Sequence, residues 1–341
     1  MFDFRALRVP IVQAPMAGGP STPELAAAVS NAGGLGFLAA GYRSAADVAG
    51  QLHRTRLLTG QPFGVNLFVP QPSIADPQQL ARYADEIAPD AARYGVEPGV
   101  THADDDGWNE KLGVVLDLRP AVVSFTFGTP TAAVLEALAE AEIAVLVTVT
   151  SVGEAKAALA AGAPALVVQG PRAGGHRGTF DAAATPPTAD LDTLFGSIHH
   201  YTDTPLVVAG GVMQPESVQH LLSRGAVAVQ AGTAFLLARE AGTNPVHRAA
   251  LASPEFSQTA VTHAFSGRPA RGLVNDFLRR HDATAPLGYP EVNQLTTPLR
   301  AAALAAGDAQ NMALWAGEGY RDARQASALE IVRHLAKGIR R

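Results

Sequence analysis

Residues 143–170 read IAVLVTVTSVGEAKAALAAGAPALVVQG, and the order of signals within them decides the fold. Ile143 to Val149 form a branched apolar run of strand length. The alanine-rich segment 151–161 reads as a helix, closed by the glycine stop at Ala161-Gly162. A second apolar run, 165–169, follows at once. Neither run alternates with polar residues, as expected for strands covered on both faces. The same strand–helix unit recurs outward in both directions. Further strand candidates lie at 10–14, 35–39, 63–68, 121–126, 205–209 and 226–230, making eight, with helices at 22–32, 44–58, 130–141, 190–201 and 214–224. Eight such units predict an α/β fold of the closed (β/α)8 TIM-barrel type, with its active site at the C-terminal ends of the strands.

A doubly wound open sheet is the competing arrangement, and Gly34-Leu35-Gly36-Phe37-Leu38-Ala39 matches a dinucleotide fingerprint. Here, however, the glycines follow a helix and lead into a strand, the reverse of the required order. The barrel is therefore placed at 1–241, with an insertion at about 70–112 that carries a helix at 77–92. Residues 242–320 read as a smaller α/β lid domain over the barrel mouth. Residues 321–341 read as a C-terminal segment packing back on the barrel, its amphipathic helix spanning 322–338.

Composition narrows the function. A net charge of −5 with no basic stripe argues against nucleic acid. The absence of cysteine excludes disulfides and a cysteine nucleophile. No apolar stretch approaches the roughly 18 residues of a membrane span, and MFDFRALRVP lacks the apolar core of a signal peptide. A soluble, cytoplasmic chain, monomer or homodimer, is expected. No H-E-x-x-H or comparable pattern is present, so no metal is expected. The acidic run Asp104-Asp105-Asp106 is read as a solvated loop in preference to a cation site.

The chemistry concentrates in residues 169–180, QGPRAGGHRGTF. A strand that ends in a glycine-rich loop lets backbone lie close to a ligand, since Gly174, Gly175 and Gly178 carry no Cβ. His176 then sits where it could transfer a proton near neutral pH; the plainer reading is a surface loop with an incidental imidazole. Strands seven and eight end in Val208-Ala209-Gly210-Gly211-Val212 and Val229-Gln230-Ala231-Gly232-Thr233-Ala234-Phe235. Glycines at these two neighbouring tips suit a phosphate group, and Thr233 can add a hydroxyl donor. Gln13, Asn66, Gln169 and Gln230 end strands that are otherwise apolar. Amides there need partners; either they bond one another and nearby backbone, or they meet a flat heterocycle bearing carbonyls and ring nitrogens. Arg268 and Arg271 either bind an anionic ligand or fix the lid to the barrel, the second being preferred.

Together these segments resemble the nitronate monooxygenase family. The matches are 10–19 (PIVQAPMAGG), 64–68 (GVNLF), 173–178 (AGGHRG), 209–212 (AGGV), 230–235 (QAGTAF), 265–272 (FSGRPARG) and 314–319 (LWAGEG). The last two resemble segments of the bacterial class I members, with Glu318 standing where a glutamine is expected. The resemblance implies FMN, held by Ala14, Pro15, Met16, Asn66, Gln169, Gly174, Gly175, Gly211, Gln230, Ala231, Gly232 and Thr233. It implies His176 as the active-site histidine. The implied reaction is oxidation of alkyl nitronates, or of nitroalkanes, by O2 to a carbonyl compound and nitrite. An NAD(P)H-dependent flavin reductase of the enoyl-acyl-carrier-protein or quinone type on the same barrel is the alternative. A non-catalytic flavin or phosphate-ligand sensor is a third reading.

Overall fold

The computed structural model describes residues 2–339; Met1, Arg340 and Arg341 lie outside the described residues. In chain order the strands are β1 (Ile11–Gln13), β2 (Gly36–Ala39), β3 (Phe63–Phe68), β4 (Val122–Thr126), β5 (Ala144–Val149), β6 (Leu166–Gln169), β7 (Gly175–His176), β8 (Leu206–Ala209), β9 (Ala228–Ala231), β10 (Thr259–Thr262) and β11 (Ala270–Leu273). Eight of them form one parallel sheet in the order β1-β9-β8-β6-β5-β4-β3-β2. The ends meet: Val12 bridges Leu35, Gln13 N donates to Leu35 O at 2.9 Å, and Leu35 N donates to Ile11 O at 3.0 Å. The eight predicted strands thus close into the predicted barrel.

The unbroken apolar runs follow from this closure. Along β5, Val145 and Val147 pack outward against helix residues such as Leu138 and Ala155. Leu146 points to the other cluster, with Val12, Phe37, Val122, Val167 and Val207, which fills the barrel interior. Phe4 and Leu7, from the segment before β1, join that interior cluster. Burying large aliphatic side chains on both faces contributes about 1.5–3 kcal/mol each.

Two helices differ from the expectation. Trp108–Leu118 is helical, although it was not predicted; it starts at Gly107, in a left-handed conformation with no side-chain cap, so the usual start signal is missing. The C-terminal helix covers only Ala328–Leu335, with a separate 3-10 turn at Tyr320–Asp322. Ser327 and Glu330 form a reciprocal capping box that sets its start. It packs Ile331, Val332 and Leu335 into the helix-facing barrel core.

A second sheet holds the chemistry in place. It has the order β10-β11-β7 and is antiparallel, with Ala270 opposite His176 and Arg271 opposite Gly175. The loop after β6 is therefore stitched to the later chain. Helix Pro77–Ala92, from the insertion, shares an apolar cluster with that later region: Leu80, Tyr83 and Ile87 meet Phe265, Phe277 and Leu295. Polar contacts reinforce the cluster, as Tyr83 donates to Ala264 O at 2.6 Å and His281 touches Glu86 and Asp90 at 2.7 Å each. Among the described residues no helix is long and apolar enough to cross a membrane.

Candidate active site

A cavity of ≈ 980 Å³ opens at the C-terminal ends of the barrel strands. Its walls include Ala14, Pro15 and Met16 after β1, Asn66 on β3, and Gln169, Gly174, Gly175 and His176 on and after β6. Gly211 after β8, and Gln230, Ala231, Gly232 and Thr233 at the end of β9, complete that side. Segments far apart in sequence meet here because parallel strands all deliver their C-terminal ends to one face.

The four amides have different roles. Gln13 lies outside the cavity wall, fully buried. Its Nε2 donates to Ser21 Oγ at 3.0 Å and its Oε1 accepts from Phe37 N at 2.9 Å, so it is a strut between strands. Asn66 donates Nδ2 to Ser124 O, Ser124 Oγ and Thr126 Oγ1 at 2.9–3.1 Å, which leaves its Oδ1 without a partner among the described residues. Gln169 braces the glycine loop: Nε2 donates to His176 O at 3.0 Å, and Oε1 accepts from Gly178 N at 2.9 Å. The side chain of Gln230 makes no hydrogen bond among the described residues, although it is 9% exposed and lines the cavity.

His176 is held by the later part of the chain, through Ser266 and strand β11. Its Nε2 lies 2.8 Å from Ser266 Oγ, and the rings of Phe127, Tyr289 and Trp315 surround it with centroids 5.6–5.8 Å away. Phe127 reaches this position with φ of 77°, a conformation uncommon for a bulky residue. No carboxylate touches the imidazole among the described residues. Burial, followed by the cations Arg268 and Arg300, pushes the His176 pKa down to about 3. The ring is therefore neutral at working pH.

The two arginines of 265–272 divide. Arg271 is structural: it pairs with Glu318 at 3.2 Å and donates to Pro171 O and Thr259 Oγ1, each at 3.2 Å. Glu318 also pairs with Arg172 at 3.2 Å, so it joins the loop after β6 to strand β11. Arg268 is fully buried over the Phe127 ring, 3.9 Å from its centroid, and donates to Thr179 O. Its Nε and Nη1 have no partner. The acidic run also differs from the expectation of a merely solvated loop. Asp106 pairs with the buried Lys111 at 2.8 Å and accepts from Tyr42 N at 2.9 Å, while Asp104 and Glu110 stand on the cavity wall.

Sequence reasoning missed Ser266 as a partner of His176, and it missed Arg300. Arg300 lies on helix Glu291–Ala305, whose Asn293, Thr297, Ala301 and Leu304 also line the cavity. Its Nη2 donates to Asn293 O, Asn293 Oδ1 and Thr297 Oγ1 at 2.7–3.0 Å, and its Nε is unpartnered. It pairs with no carboxylate among the described residues. The only signal was helical spacing, and polar residues at that spacing read equally well as a solvated face.

Comparison with known proteins gives the same direction. A family model described as nitronate monooxygenase matches residues 3–338. The chain is similar to the nitronate monooxygenase of Pseudomonas aeruginosa, 41% identical over 98% of this chain and 97% of that one. It is similar to that of Paraburkholderia phytofirmans, 37% identical over 97% of this chain and 92% of that one. Among solved structures, the nitroalkane oxidase of Streptomyces ansochromogenes superimposes with a TM-score of 0.93 at 48% identity, covering 97% of this chain and 95% of that one. FabK from Thermotoga maritima superimposes with a TM-score of 0.75 at 24% identity over 98% and 94% of the two chains, a likeness of fold alone.

Proposed function

The chain belongs to the nitronate monooxygenase family, a family of oxidoreductases, and from that membership we propose that it uses FMN to oxidise alkyl nitronates, and neutral nitroalkanes, with O2. Carbonyl compound and nitrite are the products. The observation that carries this reading is an imidazole held on Ser266 with no carboxylate partner, on a cavity wall that also carries the cation Arg300, at the barrel mouth.

The cavity fits a flavin mononucleotide. Nothing stands within 4 Å of where a Cβ would lie at Gly18 or Gly175, so the wall there is bare backbone facing open space. Gln230 and Asn66 Oδ1 offer unsatisfied amide groups to a heterocycle's carbonyls and ring nitrogens. At the other end, β9 runs into the 3-10 helix Thr233–Phe235, whose leading N–H groups lack a carbonyl one turn back and suit a phosphate. Gly211 stands beside it. Bound there, the flavin would supply the electron-accepting and oxygen chemistry.

The protein's own residues supply position, charge and a proton acceptor. Arg300 favours an anionic ligand in the cavity, where Asp106 is already neutralised by Lys111. Phe127, Tyr289 and Trp315 pack around the His176 ring and leave its cavity-facing side to the ligand. Since burial keeps His176 neutral, it is ready to take the acidic C–H proton of a nitroalkane. A nitronate arrives already deprotonated and needs no base. Residues 242–320, together with helix Pro77–Ala92, act in this reading as the lid that positions Ser266, Arg300 and Trp315.

Turnover of the His176→Asn variant tests the assignment. On a neutral nitroalkane the rate is expected to fall about 100-fold or more, the usual worth of a general base. On the preformed nitronate the loss is expected to be within about tenfold. Equal losses on both would refute the role of His176 as base.

A further inference from the structure

Ser266 holds one hydrogen and faces two partners, which determines the state of His176. A hydroxyl has one donor hydrogen and two acceptor lone pairs. Ser266 Oγ lies 3.2 Å from the backbone O of Arg268, a group that can only accept and that no other donor reaches among the described residues, so donating there leaves no buried carbonyl unpaired. The remaining contact is His176 Nε2 at 2.8 Å. With the hydroxyl hydrogen committed, that contact is Nε2–H donating to Oγ. Ser266 is 1% exposed, so bulk water does not offer an alternative partner. Nδ1 of His176 makes no hydrogen bond among the described residues and is not one of the sealed polar atoms. The residue lines the cavity. The groups packed around the ring are Phe127, Tyr289 and Trp315, with the cations Arg268 and Arg300 nearby, and none of them contests the tautomer.

We propose that Ser266 is a positioning residue that sets the tautomer of His176, so that Nε2 carries the hydrogen and Nδ1 is the atom that accepts a proton from substrate. This rests on the reading of His176 as the base. In the step, the C–H bond next to the nitro group breaks and its electron pair delocalises onto the nitro oxygens. The proton forms an N–H bond at Nδ1. The resulting imidazolium keeps its Nε2–H on Ser266, whose oxygen fixes the ring and steadies its charge while Nδ1 works. No oxidant takes part in this step. A preformed nitronate makes no use of the lone pair at Nδ1, so the device serves neutral substrates selectively.

The test is 15N NMR of the histidine-labelled, FMN-loaded protein, with the His176 signals identified by their loss in His176→Asn. The wild type is expected to show a protonated Nε2 and an unprotonated Nδ1. Ser266→Ala is expected to mix the two tautomers, and Ser266→Thr, which keeps the hydroxyl, to restore the wild-type pattern. In parallel, kcat/KM of Ser266→Ala on a neutral nitroalkane is expected to fall about tenfold, the worth of one orienting hydrogen bond. On a preformed nitronate it should stay within about twofold. A wild-type His176 protonated on Nδ1 would overturn the proposal, as would a Ser266→Ala variant with unchanged tautomer and nitroalkane rate. If Ser266→Ala fails to fold, the wild-type spectrum decides alone. A correct tautomer combined with full activity of His176→Asn would instead refute the base assignment, leaving the role of Ser266 in setting the tautomer intact.

Discussion

Gly174→Ala isolates the contact between the histidine loop and the backbone of Ala316 and Gly317. A Cβ at Gly174 would stand 2.5 Å from Ala316 C and 2.9 Å from Ala316 Cα, with Gly317 N closer still. Ordinary carbon contacts lie at about 3.5–4.0 Å, so the two backbone segments would have to separate by about 1 Å. That movement strains the bond from Glu318 N to Arg172 O at 3.2 Å and the one from Gly317 N to Thr233 Oγ1 at 2.9 Å. Overpacking costs about 1–3 kcal/mol, and two weakened hydrogen bonds add about 1–2. The stiffer unfolded chain returns about 0.4–1 kcal/mol. The net expectation is a loss of about 1–4.5 kcal/mol. Gly175→Ala is the control. There φ is +74° and nothing lies within 4 Å, so alanine meets conformational strain but no collision. Its left-handed backbone costs about 1–2 kcal/mol, partly offset by the same unfolded-state effect. Urea denaturation of both variants without FMN, followed by far-UV circular dichroism, measures the contrast. If Gly174→Ala were as stable as Gly175→Ala, the close approach would not matter as argued.

Two further predictions follow from charges inside the fold. Asp106→Ala strands the ammonium of Lys111, whose side chain is 2% exposed, while Asp106 itself is 20% exposed. The expected loss in urea denaturation is about 3 kcal/mol, the low end for a broken buried pair, and most of it should return in the Asp106→Ala, Lys111→Met double variant. Acid stability is set in part by the buried His247 and by His176 on the cavity wall. Burial holds His247 down at about 4, and burial with the cations Arg268 and Arg300 holds His176 down at about 3. Their unfolded value is about 6.5, so below that pH the unfolded chain binds protons that the folded one refuses. Stability should accordingly be indifferent to these groups above about pH 7 and fall as pH drops from about 6.5 toward 4. Thermal melts across that range should show a shallower acid limb for His247→Leu.

The barrel was legible because each strand is apolar on both faces and bounded by a helix with its own stop. Periodicity alone could therefore count eight units. The second sheet was not legible: β7 has only two residues, and β10 (TAVT) and β11 (ARGL) mix polar, charged and glycine residues with apolar ones, so neither reads as a buried strand. Helix Trp108–Leu118 lacked a side-chain cap, so its start left no trace in the sequence. At the cavity, glycine-rich strand ends were readable because their positions in the βα units fix where they must lie. The individual duties of the amides were not. Gln13 and Asn66 look alike in sequence, and only the presence of Ser21 and Phe37 N beside Gln13 shows that its amide is already used. Ser266 and Arg300 act across contacts 90 or more residues away in sequence, or from a polar helix face, and neither relation has a local signature.

The most direct test of the central claim is anaerobic stopped-flow absorbance of the FMN-loaded protein, mixed separately with a preformed alkyl nitronate and with NADH or NADPH. Bleaching of the flavin by the nitronate alone, followed by nitrite release when O2 is admitted, is the predicted result. Rapid bleaching by the nicotinamide with no response to nitronate would contradict the account and place this barrel among the reductases.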